Sequence, residues 1–398
     1  MSKPCVLIVV ENLPVPLDRR VWQEASALRD AGHKVVIICP KMRGYNLPEE
    51  TIDGIQIYRH WIAEEARSFA AFFLEYFSAI FGELRLAGKA WWRHRFKIIH
   101  ICNPPDLLFL VTLPFKLFGV RVIFDVHDVV PEMFEAKFGR KIPFYWLVRW
   151  AERLTYACAD VVIATNDSVK KVAVQRGKKK ADKVFVVRTA PKINPADWPP
   201  DESLRKGRKF LVGFVGVMGS ADGVSYLLDA VAHLVNKLGH QDVQFLLMGT
   251  GPEYQRLILQ RDRLNVADFV DMPGGVSNEF LFKALRTMDL GVSCDPVNTY
   301  NNQCTMNKVL EYMTFGKAQV MFDLKEGRAS AGDAAIYVPD NSTQKMALAI
   351  ERLLHEQPLR EKMGRIGLDR IQNELKWENS VLELYKAYDC ARPLPIGT

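Results

Sequence analysis

The sequence has no C-x-x-C pair, no apolar run long enough to cross a bilayer, and no glycine fingerprint after its first apolar run. Each absence removes a class of protein. The seven cysteines are an odd number, and Cys39, Cys102, Cys158 and Cys294 stand in or beside apolar runs. They read as small core residues, which argues against a disulfide framework and a zinc site. The first apolar run, Cys5 to Val10, is too short for a signal peptide and meets Glu11 at once. It reads as a buried strand, and the expected compartment is the cytosol, with reduced thiols. Where a dinucleotide-binding dehydrogenase places its phosphate turn, this chain has "VENLPVPLDRR", which argues against that class.

What is present is a long, mixed chain. Its 398 residues, 48% of them apolar, suit two or three domains with cores of their own and rule out disorder and collagen-like repeats. Residues 1–190 carry 29 basic and 20 acidic side chains, a net of +9, while 191–398 carry 24 and 26, a net of −2. The basic half suits nucleic acid, anionic lipid or phosphorylated substrates, or is an ordinary basic surface.

Short apolar runs alternate with helical patterns throughout. The first series of expected strands is Val6–Val10, Val35–Cys39, Ile55–Tyr58, Ile98–Ile101, Val122–Val126, Val161–Ala164 and Val184–Val187. The second is Leu211–Val215, Val243–Met248, Phe269–Met272, Leu290–Ser293, Ala318–Phe322 and Ala335–Val338. Strands this apolar, spaced by helices, imply parallel sheets covered on both faces. Pro191, Pro195, Pro199 and Pro200 break the pattern between the series. The expected organisation is α/β with two doubly wound, Rossmann-like domains, 1–190 and 210–375, a linker over 191–209 and a closing helix over 376–398. The ligand site is expected in a cleft between the domains, beyond the carboxyl ends of the strands.

Residues 61–97 differ from the rest. Phe69, Phe72, Phe73, Tyr76, Phe77, Ile80, Phe81 and Leu84 recur at helical spacing, but Arg67, Glu75, Glu83 and Arg85 interrupt them, so the segment is not a membrane span. Arg85, Lys89, Trp91, Trp92, Arg93, Arg95 and Lys97 follow, which suit a headgroup layer. Two readings stand: contact with an anionic membrane surface, or a pair of helices packed on the first sheet. A second basic run, Arg176 to Lys183, reads as a solvated loop, with addition to the same face as the alternative. Nucleic-acid binding is disfavoured, because the basic residues lie in no recognised module.

Two stretches carry chemistry. In "GFVGVMGSADG" (213–223), Gly213, Gly216, Gly219 and Gly223 follow a strand and precede a helix, where a bare backbone lets amides approach a diphosphate. In "TMNKVLEYMTFGKAQVMFD" (305–323), Asn307, Lys308 and Glu311 open a helix, with Lys308 and Glu311 on one side. That pair can neutralise a phosphate and accept hydrogen bonds from vicinal hydroxyls, or can be a surface salt bridge. Asp18, Arg19 and Arg20 suit a helix cap and an acceptor phosphate.

With these motifs the chain resembles a family 4 retaining glycosyltransferase of the GT-B fold, over essentially its whole length. "DRRVWQEASALRDAGHKVVIICP" (18–40) resembles the family's first helix and second strand, "DVHDVVPE" (125–132) its histidine loop, and "NKVLEYMTFGKAQV" (307–320) its nucleotide-sugar helix. The NKxxEYM form resembles the branch found in bacterial polysaccharide assembly. The resemblance implies that Glu311 holds the donor ribose, that Lys308 lies near the diphosphate, that His127 contacts the transferred sugar, and that Asp128 orients the acceptor hydroxyl. It also implies donor contacts from Gly216, Val217, Met218 and Gly219, and base contacts from Gly249, Gly275 and Val276. The family's E-x(7)-E pair is broken here, with Gln303 in the first position and Asn302 and Asn301 as rivals. The phosphate-binding Arg and Lys of the family's glycine turn are replaced by Val217 and Asp222, which leaves charge neutralisation to Lys308, the turn amides and Arg188.

The expected function is transfer of a sugar from a nucleotide-sugar, UDP by family frequency, to a lipid-linked or oligosaccharide acceptor, with neither cofactor nor metal. The expected location is the cytoplasm, on the inner face of the plasma membrane. The alternatives are a nucleotide-sugar epimerase, for which only His127 and Asp128 offer acid–base groups, and a catalytically silent nucleotide-sugar-binding or scaffold protein.

Overall fold

Two series of short apolar strands, nearly every one followed by a helix, close into two separate sheets. A computed structural model describes residues 3–62, 69–138 and 143–392. By internal contacts the chain divides into one unit of Met1–Thr189 with Glu378–Thr398, and a second of Ala190–Trp377.

The first unit runs β1 (Val6–Val10), α1 (Arg19–Asp30), β2 (Val35–Pro40), β3 (Glu49–Ile52), β4 (Ile55–His60), α2 (Phe69–His94), β5 (Ile98–Cys102), α3 (Phe109–Lys116), β6 (Arg121–Val126), α4 (Val130–Phe138), α5 (Pro143–Cys158), β7 (Val161–Ala164), α6 (Asp167–Gln175) and β8 (Val184–Val186). Its eight strands lie in the order β3-β4-β2-β1-β5-β6-β7-β8, parallel except for the antiparallel β3–β4 pair. All five residues of β1 and of β5 are buried, as expected for central strands sheathed by helices. Strand order reverses between β1 and β5, so their carboxyl ends frame a crevice.

The second unit runs β9 (Phe210–Val215), α7 (Val224–Ala232), β10 (Val243–Met248), α8 (Tyr254–Arg263), β11 (Val270–Gly274), α9 (Asn278–Thr287), β12 (Leu290–Ser293), α10 (Asn307–Thr314), β13 (Ala318–Phe322), α11 (Lys325–Ala331), β14 (Ala335–Val338), α12 (Thr343–His355) and α13 (Gln357–Asn373). Its parallel sheet has the order β11-β10-β9-β12-β13-β14, and the reversal falls between β9 and β12. Phe214, Phe245, Val320, Phe322 and Ile350 are buried in its main core.

All thirteen expected strands form, with ends within two residues of those expected. β3 was not anticipated: its "EETI" is half exposed and carries two glutamates, so it has neither the apolar run nor the alternation that marks a strand. Among the described residues of 61–97 there is one long helix, α2, where a pair was one of the expected readings. Ala79, Leu86, Ala87 and Ala90 pack inward, while Phe81 and Trp92 are exposed. The side chains of Phe69, Phe72, Phe73, Tyr76 and Phe77 lie outside the described residues. Among the described residues no helix is long and apolar enough to cross a membrane. The Arg176–Lys183 run is not simply a solvated loop. Arg176 joins half-buried Glu132 and buried Glu152, and Lys179 donates to the Ala159 carbonyl in the loop after α5.

The last helix, α14 (Trp377–Cys390), belongs to the first unit from Glu378 onward. Its Tyr388 is fully buried and pairs with His100 Nδ1 at 2.7 Å, while the Tyr385 hydroxyl donates to Ala27 O at 3.0 Å. Replacing Tyr388 by Phe leaves the His100 nitrogen unmatched, at a cost of about 1–3 kcal/mol. Amide exchange across α14 should accelerate, and unchanged exchange would show that packing alone holds the helix.

Candidate active site

In the first unit, β6 ends in Asp125 and Val126 and hands the chain to His127. Asp125 is wholly buried. Arg20, in the first turn of α1, grips it with both sides of its fork, Nη2 to Oδ1 at 2.7 Å and Nε to Oδ2 at 3.0 Å. Arg20 also donates to Val187 O at 2.8 Å and pairs with buried Glu24 at 3.0 Å. His127 Nε2 meets Asp125 Oδ2 at 2.7 Å. The His127 loop is held from below by Asn103, whose Oδ1 accepts the amides of His127 and Asp128 at 2.7 and 3.2 Å and whose Nδ2 donates to Asp128 O and Asp106 Oδ1, both at 2.8 Å.

These contacts set the charges. Burial alone would neutralise Asp125, but Arg20 and His127 overcome it and hold its pKa well below the usual carboxylate range. Burial likewise opposes the imidazolium of His127, and Asp125 more than offsets it, so the His127 pKa is raised. With an ionised carboxylate opposite Nε2, that nitrogen carries a proton. Nδ1, which has no partner among the described residues, then accepts when the ring is neutral and donates when it is charged. Glu24 is pushed up to about 7 by burial, against the pull of Arg20, and Asp106 to about 8 by burial, against its hydrogen bond from Asn103.

In the second unit the turn after β9 lies beside the β12 loop, at the reversal of strand order. Lys308, one residue into α10, is buried, and its Nζ lies 2.8 and 3.0 Å from the two oxygens of Asp295. Ser293 Oγ also donates to Asp295, at 2.5 Å. A Cβ at Gly216 would come within 3.1 Å of the Lys308 side chain, so the bare backbone there is what admits the lysine. Gly249, at φ +142°, has no such freedom either: a Cβ would sit 1.8 Å from Gly216 O. Burial opposes the Lys308 charge, yet Asp295 raises its pKa. Burial raises that of Asp222, with Lys308 pulling it back.

Several expected residues are placed otherwise than their sequence roles suggest. Arg20 spends its fork on Asp125 and is buried, so an acceptor phosphate has no access to it without breaking that pair. Asp18 caps α1 by accepting from Val21 N at 3.0 Å, and Arg19 is exposed. Lys308 has its charge matched by Asp295. Of the turn amides, Gly216 N, Met218 N and Gly219 N donate to Met248 O, Thr250 O and Asp222 Oδ2. Gly249 N donates to Gly274 O. Val217 and Gly275 are exposed and Val276 packs against a core cluster. Asn301 is a structural tie, donating to Ala221 O and Pro296 O. Asn302 Oδ1 accepts from Lys325 N, Gln303 Nε2 donates to Thr299 O, and Asn307 is exposed. Glu311 is buried one turn after Lys308. Arg188 pairs with Asp167 at 2.8 Å.

Sequence reading missed Asp125, Asn103, Asp106, Glu24, His100 and Asp295. The available signal was a carboxylate inside or directly behind an apolar strand, as in "VIFDV" and "LGVSCD", where an unpaired charge is too costly to be incidental.

Comparison with known proteins agrees with this architecture. A family model described as glycosyl transferase 4-like domain matches residues 17–190, and one described as glycosyl transferases group 1 matches 209–356. The chain is 27% identical over 230 residues to an alpha-D-kanosaminyltransferase of Streptomyces kanamyceticus, covering 55% of this chain and 57% of that one. An uncharacterized glycosyltransferase of Methanocaldococcus jannaschii is 22% identical over 274 residues, 68% of each chain. Among solved structures, sucrose-phosphate synthase of Thermosynechococcus elongatus superposes with a TM-score of 0.76 at 16% identity, covering 97% of this chain and 98% of that one. Anabaena HepE in complex with UDP-glucose gives 0.72 at 13%, covering 97% and 100%. These likenesses establish the GT-B fold.

The buried acids make a measurable prediction. An acid raised on folding keeps its proton in the native state while the unfolded chain releases it, so stability falls as pH rises from about 4 to about 8 for Asp106. Asp106→Asn mimics the protonated form and should flatten melting temperature against pH across that window; an unaltered slope would remove Asp106 from the account.

Proposed function

This chain carries the two domains of a GT-B glycosyltransferase, a glycosyl transferase 4-like domain ahead of a glycosyl transferases group 1 domain, and on that premise we propose that it is a retaining, metal-independent hexosyltransferase. It moves a sugar from a UDP-sugar to a lipid-linked or polysaccharide acceptor in the synthesis of bacterial exopolysaccharide or another cell-surface glycan. It works as a peripheral protein on the cytoplasmic face of the membrane. The observation that carries the reading is His127, poised at a strand end with its Nε2 proton fixed by an ionised, arginine-gripped Asp125.

Transfer breaks the bond between the anomeric carbon and the diphosphate oxygen and forms one from the same carbon, on the same face, to the acceptor oxygen. The acceptor proton passes to the departing phosphate oxygen, so no protein nucleophile is required. His127 donates from Nδ1 to a sugar hydroxyl, and its raised pKa keeps the donor form populated. Glu311 accepts from the ribose hydroxyls. Lys308, held by Asp295 against Gly216, supplies positive potential beside the turn where charge develops on the leaving diphosphate. UDP as the nucleotide is supported by the HepE complexes, which hold UDP, UDP with glucose, and UDP-glucose in the same fold.

A ligand bound only to the folded state raises the melting temperature. UDP and its sugar conjugates should do so where guanosine and adenosine diphosphates do not, and Glu311→Ala should abolish the shift. In the transfer assay His127→Ala should lower kcat by roughly a hundredfold or more, and the product should keep the donor's anomeric configuration by NMR. Inversion would overturn the retaining assignment, and UDP-sugar binding without any transfer would favour the silent binding protein.

A further inference from the structure

Helix α3 is apolar over most of its surface, yet among the described residues only one side of it is buried. Phe109, Val111, Thr112 and Phe115 are buried, whereas Leu110, Leu113 and Pro114, with Leu117 and Phe118 just past the helix end, are exposed at three- and four-residue spacing. Leu117 is 86% exposed and Phe118 62%. Such a helix belongs in a core or at a membrane.

The helices packed beside it also carry exposed aromatic side chains. Trp91 of α2 packs on Phe118 at 4.9 Å, and Thr112 and Lys116 reach Cys158 at the end of α5 at 3.2 and 2.6 Å, so α2, α3 and α5 are tied side by side. On α5, Trp146 and Trp150 are 69% and 59% exposed, with Leu147 between them. On α2, Trp92 is exposed and carries the Arg95 guanidinium over its ring at 5.2 Å. In the second unit, by contrast, exposed apolar side chains such as Leu259 and Leu348 stand singly.

The rim of the face is cationic. Arg95 and Lys97 border it on the α2 side, and Arg153 lies one turn beyond Trp150. The nearby acids are already engaged: Asp160 by Lys116 and Arg121, Glu152 by Arg176, and Glu49 by Lys89 and Arg93. A two-fold pairing with a second copy would set this rim against itself, like charge to like charge. Anionic headgroups complement it, and tryptophan with leucine and arginine is the composition of an interfacial membrane face.

We propose that the face formed by α3, α5 and the end of α2 docks this protein on an anionic lipid bilayer, with Leu113, Leu117, Phe118, Trp146 and Trp150 entering the interfacial layer. This deepens the peripheral-membrane part of the proposed function, moving the contact onto two helices outside residues 61–97. It is read by lipid binding and not by transfer, so its failure and that of the enzymatic reading are separable.

The test is flotation of the full chain with vesicles of phosphatidylcholine, with and without phosphatidylglycerol, at low and high salt. Binding should require the anionic lipid and weaken with salt. Leu113→Ser with Leu117→Ser, and separately Trp146→Ser with Trp150→Ser, should each reduce partitioning roughly tenfold or more. Leu259→Ser, an equally exposed change in the second unit, should not. Far-ultraviolet dichroism and melting check that each variant is folded. Absence of binding by the unaltered chain, or equal binding by all variants, would overturn the proposal. So would loss of a dimer in sedimentation velocity on the α3 or α5 changes without loss of lipid binding, which would make the face a self-association surface.

Discussion

The first unit depends on one buried ion pair, Arg20 with Asp125. A carboxylate with no exposure at the end of a central strand is tolerable only if its charge is met, and Arg20 meets it through two parallel hydrogen bonds. Removing one member of such a pair costs about 3–5 kcal/mol, because the other is left buried and charged. Three further structures hang on it. The first turn of α1 is fixed to β6, the Val187 carbonyl beyond β8 is drawn in by the same guanidinium, and the His127 ring takes its orientation and tautomer from the second carboxylate oxygen. Glu24 and His100 complete a cluster in which Arg20 is shared by two acids. Burial raises the pKa of Glu24, Arg20 pulls it back, and the neighbouring charge of Asp125 adds to the rise.

The second unit solves a similar problem the same way round, with the cation on a helix and the acid at a strand end. Here the lysine comes from the start of α10 and the aspartate from the strand-end loop, and the pair again sits at the reversal of strand order. The environment differs in sign, however. Asp222 and Asp295 together outnumber Lys308, and Asp222 already caps Gly219 N. A turn whose Gly216, Met218 and Gly219 amides are bonded within the protein is a rigid platform, and Lys308 is the cation held beside it. Its contribution is shape: at Gly249 a Cβ would collide with the Gly216 carbonyl, and at Gly216 it would crowd the Lys308 side chain.

The cationic residues of the first unit show how poorly net charge predicts where positive potential lies. Of the 29 basic side chains over residues 1–190, Arg20, Arg59, Lys89, Arg93, Lys116, Arg121 and Arg176 are engaged with acids. Many of the charges that suggest an interaction surface in the sequence are therefore engaged internally, and the distinctive surface feature is the one the sequence reading passed over. α3 drew no notice because an eight-residue apolar stretch between two strands reads as a fully packed helix. Only the structure shows that its outer stripe is exposed among the described residues.

What was readable and what was not divide along a physical line. The strands and the helix-opening motif at Asn307–Glu311 are local signals, set by apolar runs and by residues a turn apart, and they were found in place. The edge strand β3 was lost because it owes its pairing to β4 and not to its own composition. The partners of the charged site residues were lost for a related reason. Lys308 is 13 residues from Asp295, and Arg20 is 105 residues from Asp125, separations at which spacing carries no information about contact. A motif names a side chain without saying what neutralises it. In a buried site that missing partner decides the role: it turns Arg20 from an acceptor ligand into the residue that holds the His127 loop in its charge state.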